Sequence, residues 1–246
     1  MKIIGIIPAR YDSSRFPGKP LVDIDGMSMI QRVYEQCKKA KSLSEVIVAT
    51  DDERVYNHVA GIGAKVLMTS KAHPSGTDRC HEAYNQLEDR YDYIVNIQGD
   101  EPFIQPNQID LLTGTLDKET ELATLVIPTT SAEHIFSFNE AKVIFDKDMY
   151  ALYFSREPIP HVRNKQRNSW GEQKVHHLQI GMYAYRADVL EAITALNESL
   201  LENAESLEQL RWLEHGYRIK LAFTDTPSFG VDTPEDLEAL KRRFLA

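Results

Sequence analysis

The sequence predicts an α/β protein with a Rossmann-like, mostly parallel sheet flanked by helices and a smaller subdomain in its second half. Two observations carry this. Short β-branched runs alternate with amphipathic stretches of helical length through the first half of the chain, and that alternation is what repeated strand–helix units produce. Most of the runs are apolar at successive positions rather than at every second one, as parallel strands covered by helices on both faces require.

The elements follow in order. Strands are expected at residues 2–8, 45–50, 65–68, 93–98 and 122–128, with helices at 27–41, 52–62, 77–87 and 106–116 between them. From about Ala141 the rhythm changes: residues 142–146 and 150–155 read as paired strands, whereas 163–174 are polar, charged and without period, which reads as a loop. A strand is expected at 178–186, helices at 187–196 and 207–215, a strand at 220–223 and a final helix from Thr233. That last start is explicit, with Thr233 as N-cap, Pro234 behind it and Asp236 three residues after the cap.

Composition sets the outer limits. The chain has 246 residues with 28 Lys+Arg against 37 Asp+Glu, a net charge of −9 that disfavours nonspecific nucleic-acid binding. No apolar run approaches the ~18 residues of a membrane span, and the apolar stretch at the N-terminus is too short for a secretory signal. Cys37 and Cys80 fall in helix-like segments without Cys-x-x-Cys spacing. This argues against a disulfide framework or a zinc site and makes a reducing cytoplasm the expected compartment.

Four segments could carry chemistry. The first strand runs into Pro8-Ala9-Arg10-Tyr11-Asp12-Ser13-Ser14-Arg15-Phe16-Pro17-Gly18-Lys19-Pro20, which places three cations within ten residues of an acidic protein. Ligands of open parallel sheets bind at the carboxyl ends of strands. Arg10, Arg15 and Lys19 there suit a polyanion, and Gly18 permits close backbone approach. With no Walker A or Gly-x-Gly-x-x-Gly fingerprint, phosphate binding and a Pro/Gly-rich turn with solvated charges both satisfy the spacing.

Second, Asn96-Ile97-Gln98-Gly99-Asp100-Glu101-Pro102 closes an apolar strand. Asp100 is a candidate Mg²⁺ ligand, because a hard cation takes oxygen donors and bridges to substrate phosphates; a plain Gly-Asp turn is the alternative. Third, Asp232 precedes the last helix without being needed by its cap, and is a candidate second metal ligand. Fourth, Ser75-Gly76-Thr77-Asp78-Arg79 opens a helix with small residues whose amides can bond a ligand. Capping and a base or ribose contact are both open there, with Arg79 as a candidate specificity residue. His176 and His177 have no Glu-x-x-His or carboxylate pattern around them and are expected as surface or strand residues rather than metal ligands.

These segments, with Ala49-Thr50-Asp51, resemble the nucleotide-sugar cytidylyltransferases. Tyr150-Ala151-Leu152-Tyr153-Phe154-Ser155-Arg156, Leu207-Glu208-Gln209-Leu210-Arg211 and Gly230-Val231-Asp232-Thr233-Pro234-Glu235-Asp236-Leu237 narrow the resemblance to the 3-deoxy-D-manno-octulosonate (Kdo) branch, over nearly the whole chain. The resemblance implies that CTP and Kdo give CMP-Kdo and diphosphate for lipopolysaccharide synthesis, with Mg²⁺ on Asp100 and Asp232. It implies a nucleotide site of Ala9, Arg10, Lys19, Ser75, Gly76, Thr77 and Arg79. The implied sugar site comprises Arg15, Gln98, Arg156, Gln179, Tyr183, Tyr185, Glu208 and Gln209. Arg10, Lys19, Asp100 and Asp232 would carry the catalysis. Two positions depart from the pattern: Asp78 stands where the family carries Glu, and Gln179 where it carries His.

The same resemblance divides the chain into a nucleotide-binding part (1–130), a sugar-binding and dimer-forming part (131–225) and a metal-ligand loop with its helix (226–246). A homodimer without nucleic-acid or membrane partners is expected. The alternatives are a cytidylyltransferase for an amino-Kdo or a nonulosonate, and a catalytically silent nucleotide-binding protein.

Overall fold

The computed structural model describes residues 1–12 and 15–245; Ser13, Ser14 and Ala246 lie outside the described residues. The chain opens with β1 (Ile3–Ala9), a 3-10 turn at Lys19–Leu21, the hairpin β2 (Asp23–Ile24) and β3 (Met27–Ser28), and α1 (Met29–Cys37). Strand–helix units follow: β4 (Glu45–Thr50), α2 (Glu53–Gly61), β5 (Val66–Met68), α3 (Gly76–Asn85), β6 (Tyr93–Asn96), α4 (Pro106–Thr113) and β7 (Leu122–Thr129). Then come α5 (Ala132–Ile135), β8 (Lys142–Phe145), β9 (Ala151–Ser155), a 3-10 helix at Arg167–Gln173 and the long β10 (His176–Arg186). The chain finishes with α6 (Ala187–Thr194), α7 (Leu200–Glu205), α8 (Gln209–Glu214), β11 (Ile219–Phe223) and α9 (Pro234–Phe244).

The central sheet has the order β11-β7-β10-β6-β1-β4-β5. β1 pairs in parallel with β4 and β6, β4 with β5, and β11 with β7, while β10 runs antiparallel to both β6 and β7. The strand alternation of β1 divides its side chains between two cores: Ile4 and Ile6 face one, Ile3 and Ile7 the other, and all four are at most 4% exposed. Each contributes roughly 1.5–3 kcal/mol by leaving water. The apolar character at successive positions is thus the two-sided burial of an interior parallel strand. β8 and β9 form an antiparallel ladder that joins the sheet through β10, pairing Lys142 with Leu178.

The expected helices form but are trimmed by their caps. Ser28 accepts the amide of Gln31 and starts α1 there, two residues after the predicted boundary. Segment 163–174, expected as a loop, is corrected: it holds the 3-10 helix, with Trp170 buried at 3% between the rings of His161 and His176. A Cβ on Gly171 would fall 1.9 Å from the carbonyl oxygen of Thr130, so the segment is packed tightly against α5's approach. A short 3-10 run buries one aromatic and leaves no period to read. α7 was also not anticipated. Its signal is local rather than periodic, a Ser199–Glu202 capping box. The β2–β3 turn at Asp25-Gly26, both at positive φ, is the Asp-Gly hairpin pattern over strands of two residues.

Candidate active site

The carboxyl ends of β1 and β6 bound a cleft of about 470 Å³ at the point where the sheet order reverses. Its walls carry Ala9, Arg10, Asp12, Arg15 and Lys19 from the first loop, Gly76 and Arg79 from α3, and Gln98, Gly99, Asp100 and Asp232. Gly99 is required here: a Cβ would lie 2.6 Å from the Pro8 carbonyl oxygen, so a larger residue would force the two strand ends apart. Gly18, at φ +75°, turns the chain into the Lys19–Leu21 turn beneath the Tyr11 ring, a conformation that favours glycine.

Lys19 is the centre of the arrangement. Its Nζ donates to Asp100 Oδ2 at 2.7 Å and to the Val231 carbonyl at 2.7 Å, and it lies 3.6 Å from Asp232 Oδ1. Arg15 reaches the same Asp232 oxygen at 2.9 Å. The Val231 amide donates to the Asp100 carbonyl at 2.9 Å, fastening the loop before α9 to the loop after β6. The two carboxylates proposed from sequence therefore converge, separated by one ammonium. Among the described residues no group of three or more His, Cys, Asp or Glu side chains is arranged to hold a metal. Two carboxylates facing a cleft fit Mg²⁺, which retains waters and takes its remaining oxygens from substrate phosphate. Arg10 is exposed on the same wall.

Arg79 proves to be 1% exposed, its guanidinium held by Thr69 Oγ1 at 2.5 Å and Asp51 Oδ2 at 2.9 Å. It ties α3 to the ends of β4 and β5 while still bordering the cleft.

A second polar cluster lies between α3, β6, β10 and α8. Ser75 caps α3 by accepting the Asp78 amide, and its hydroxyl lies 2.5 Å from Asp78 Oδ2 and 3.2 Å from Glu208 Oε1. Thr77 Oγ1 donates to Glu208 Oε2 at 2.7 Å and lies 3.2 Å from the Tyr185 hydroxyl, which receives Asn96 Nδ2 at 3.2 Å. Burial pushes the Glu208 carboxyl above its ordinary pKa against the hydrogen bond of Thr77 and the charge of Arg211. Five buried side-chain polar atoms lack a hydrogen-bond partner among the described residues, and four belong here: Asn96 Oδ1, the Tyr183 hydroxyl, Gln209 Nε2 and Arg211 Nε. Buried polar groups are almost always paired, so this concentration marks a place where a polar ligand would complete them.

The remaining sugar-site expectations are spread more widely. Gln98 lines the cleft and donates to the Gly181 carbonyl at 2.7 Å. Gln179 spends its amide on the Ile180 carbonyl at 2.5 Å and Thr124 Oγ1 at 3.4 Å. Arg156 is not brought to the cleft. Its guanidinium bonds the carbonyls of Phe138, Asn139, Glu205 and Ser206, and so fastens β9 to the end of α7. His176 and His177 are strand residues, His176 fully buried and bonded to the Pro160 carbonyl. Asn96, Asp51 and Arg211 stand in the sequence motifs with no role assigned to them there. Only the i,i+3 spacing of Glu208 and Arg211 announced a pairing.

Comparison with known proteins now adds what geometry alone leaves open. The sequence profile of the family described as Cytidylyltransferase matches residues 4–219. The chain belongs to the cytidylyltransferase family. It is 54% identical over 243 residues to the 3-deoxy-manno-octulosonate cytidylyltransferase of Parabacteroides distasonis, covering 97% of this chain and 96% of that one. Identity to the protein of the same name in Cytophaga hutchinsonii is 51% over 238 residues, 96% and 95% of the two chains. A solved structure of CMP:2-keto-3-deoxy-manno-octonic acid synthetase complexed with CTP superposes with a TM-score of 0.92 at 42% identity, covering 100% of this chain and 99% of that one. In this cytidylyltransferase the cation-lined cleft and the buried polar cluster meet at the end of β6 and the first turn of α3.

Proposed function

We propose that this cytidylyltransferase transfers the cytidylyl group of CTP to Kdo, forming CMP-Kdo and diphosphate for lipopolysaccharide synthesis. The observation that carries the reading is the convergence of Lys19, Arg15, Asp100 and Asp232 in one cleft, beside a cluster of unpartnered buried polar atoms. The printed names of the relatives, matched over nearly the full chain, support the choice of sugar.

Arg10 and Lys19, with the Ala9 backbone at the end of β1, hold the triphosphate. Ser75, Gly76 and Thr77 border the cytidine, with Arg79 behind them. Asp100 and Asp232 would hold Mg²⁺, which supplies charge neutralisation at the phosphate oxygens. Gln98, Tyr183, Tyr185, Glu208 and Gln209 receive the sugar hydroxyls, and Arg15 faces its carboxylate. Gln179 and Arg156 support this wall through the carbonyls they bond. The anomeric hydroxyl of Kdo attacks the α-phosphorus in line and gives up its proton to solvent. A new P–O bond forms as the bond to the bridging oxygen breaks, and that electron pair departs with diphosphate. Residues 1–130 thus serve mainly the nucleotide, 131–225 the sugar and 226–246 the metal. Arg10 and Lys19 stabilise charge on the leaving group, so the chain's contribution is positioning and electrostatics.

The protein assembles as a homodimer in the cytoplasm. In support, Phe138, Leu152 and Leu200 of the second half are 63%, 58% and 86% exposed, and Cys37 and Cys80 are free thiols. No helix among the described residues is long and apolar enough to cross a membrane. Light scattering tests the dimer. The activity is tested by diphosphate release with CTP, UTP, ATP or GTP against Kdo, amino-Kdo and sialic acid. CTP with Kdo is expected to be the preferred pair, and stronger release with another acceptor overturns the assignment.

A further inference from the structure

Arg211 has not yet entered the chemistry, although it is 9% exposed and lies beside the sugar wall. Its Nη2 is 2.7 Å from Glu202 Oε1 and 3.7 Å from Glu208 Oε1, its Nη1 donates to the Leu196 carbonyl at 2.9 Å, and its Nε has no partner. One guanidinium is therefore shared unequally between a buried carboxylate, Glu202, and a part-buried one, Glu208. Glu202 does not depend on Arg211 for its own place, because its carboxylate also accepts the Ser199 amide at 3.2 Å in the capping box of α7. Glu208 has no comparable backbone anchor among the described residues; the hydroxyls of Ser75 and Thr77 and the more distant guanidinium surround it.

We infer that Arg211 is a positioning residue that keeps Glu208 ionised and directed at the acceptor wall, with Glu202 setting how much of its charge Glu208 receives. The inference rests on the reading that Glu208 borders the sugar. An ionised carboxylate only accepts hydrogen bonds. Thr77 then donates to Glu208, Tyr185 can donate to Thr77, and Asn96 donates to Tyr185, so that the whole chain points one way. Protonation turns one of the two Glu208 oxygens into a donor, so Ser75 and Thr77 can no longer both donate to it and the direction of the chain through Tyr185 and Asn96 is no longer fixed.

The groups facing Glu208 are Asp78 and Cys80 on α3, Tyr183 and Tyr185 on β10, and Arg211 on α8. Arg211 is the cation among them. Burial raises the pKa of the Glu208 carboxyl, Thr77 and Arg211 lower it, and Asp78 raises it. Removal of the guanidinium therefore favours the neutral acid, whereas neutralising Glu202 removes a negative charge and releases Arg211 towards Glu208.

The two substitutions should act in opposite directions. Arg211→Met is expected to move the acidic limb of kcat/KM for Kdo to higher pH, and Glu202→Gln to move it to lower pH, with KM for CTP unchanged in both. Glutamine can occupy the capping-box position, so α7 keeps its start in the second variant. Arg211→Lys retains the charge and is expected to move the limb less than Arg211→Met. A ¹³C NMR titration of the glutamate carboxyl signal that disappears in Glu208→Gln reads the same shifts without any substrate. Shifts in one direction for both variants, or no shift in either, overturn the inference, since a structural pair would only lower stability and activity uniformly with pH. Wild-type protein that releases no diphosphate with Kdo defeats the functional reading, while the NMR titration still decides the part played by Arg211. Where Arg211→Met does not fold, Glu202→Gln and Arg211→Lys carry the test.

Discussion

Lys19 occupies the position between Asp100 and Asp232, so each of the three residues is placed by the other two. Asp100→Asn and Asp232→Asn are expected to lower CTP-dependent diphosphate release by at least about 10²-fold while leaving the circular dichroism spectrum unchanged. Full activity in both variants would remove the two-carboxylate proposal. The adjacent Glu101 has a different task. It is 7% exposed, bonded to the Ser228 hydroxyl, and burial, with the nearby Asp100 charge, pushes its carboxyl up to about 7 from 4.5. A raised pKa means that the folded state holds this proton more tightly than the unfolded chain. Glu101 therefore costs nothing below about pH 4.5, and its burden grows across pH 4.5–7 to at most about 3 kcal/mol. Glu101→Gln should raise the melting temperature at pH 8 and have little effect at pH 4.5, as scanning calorimetry can show.

At the scale of elements, α9 acts through its first turn. Thr233 Oγ1 accepts the Asp236 amide at 3.2 Å, and Asp236 Oδ2 accepts the amides of Asp232 and Thr233 at 3.0 and 2.9 Å. The cap that starts the helix thereby fixes the backbone of Asp232. Thr233→Ala is expected to cost about 1 kcal/mol, or a few degrees in melting temperature, and to lower kcat by more than that loss explains, with Thr233→Ser restoring both. Burial opposes ionisation of Asp236, but these amide bonds outweigh it and lower its pKa from 3.8. Its contribution is present above about pH 4 and is lost as pH falls through the folded value.

Local signals of this kind explain what could be read in advance. β1, β4 and β6 were legible because burial on both faces leaves apolar residues at successive positions, and α9 because its cap, proline and acid are adjacent in sequence. The 3-10 helix around Trp170 was not, because a single buried aromatic has no period. The cations of the first loop were visible as charge. The bond from Lys19 to the Val231 carbonyl spans 212 positions and has no local trace. For Arg156 the sequence shows a cation but not the four carbonyls that its guanidinium bonds.

For the whole molecule, the decisive feature is the position of β10 between β6 and β7, antiparallel to both. The strand that carries Tyr183 and Tyr185 belongs by sequence to the second half and by pairing to the middle of the first. A fragment of residues 1–130 is expected to lack a cooperative melting transition and dispersed amide NMR signals, because β6 would present an unpaired edge and β7 would lose both of its neighbours, β10 and β11. An independently folded fragment would show that the nucleotide part stands alone. The same placement has a consequence during synthesis. The bond between Asn96 and Tyr185 joins residues 89 positions apart, so β6 leaves the ribosome long before its partner exists. Until β10 is translated, the growing chain has an open slot in its sheet and no acceptor wall. Inserting β10 closes the slot and brings in Tyr183 and Tyr185, so on the proposed reading a nascent chain that still lacks this strand cannot yet bind the acceptor sugar.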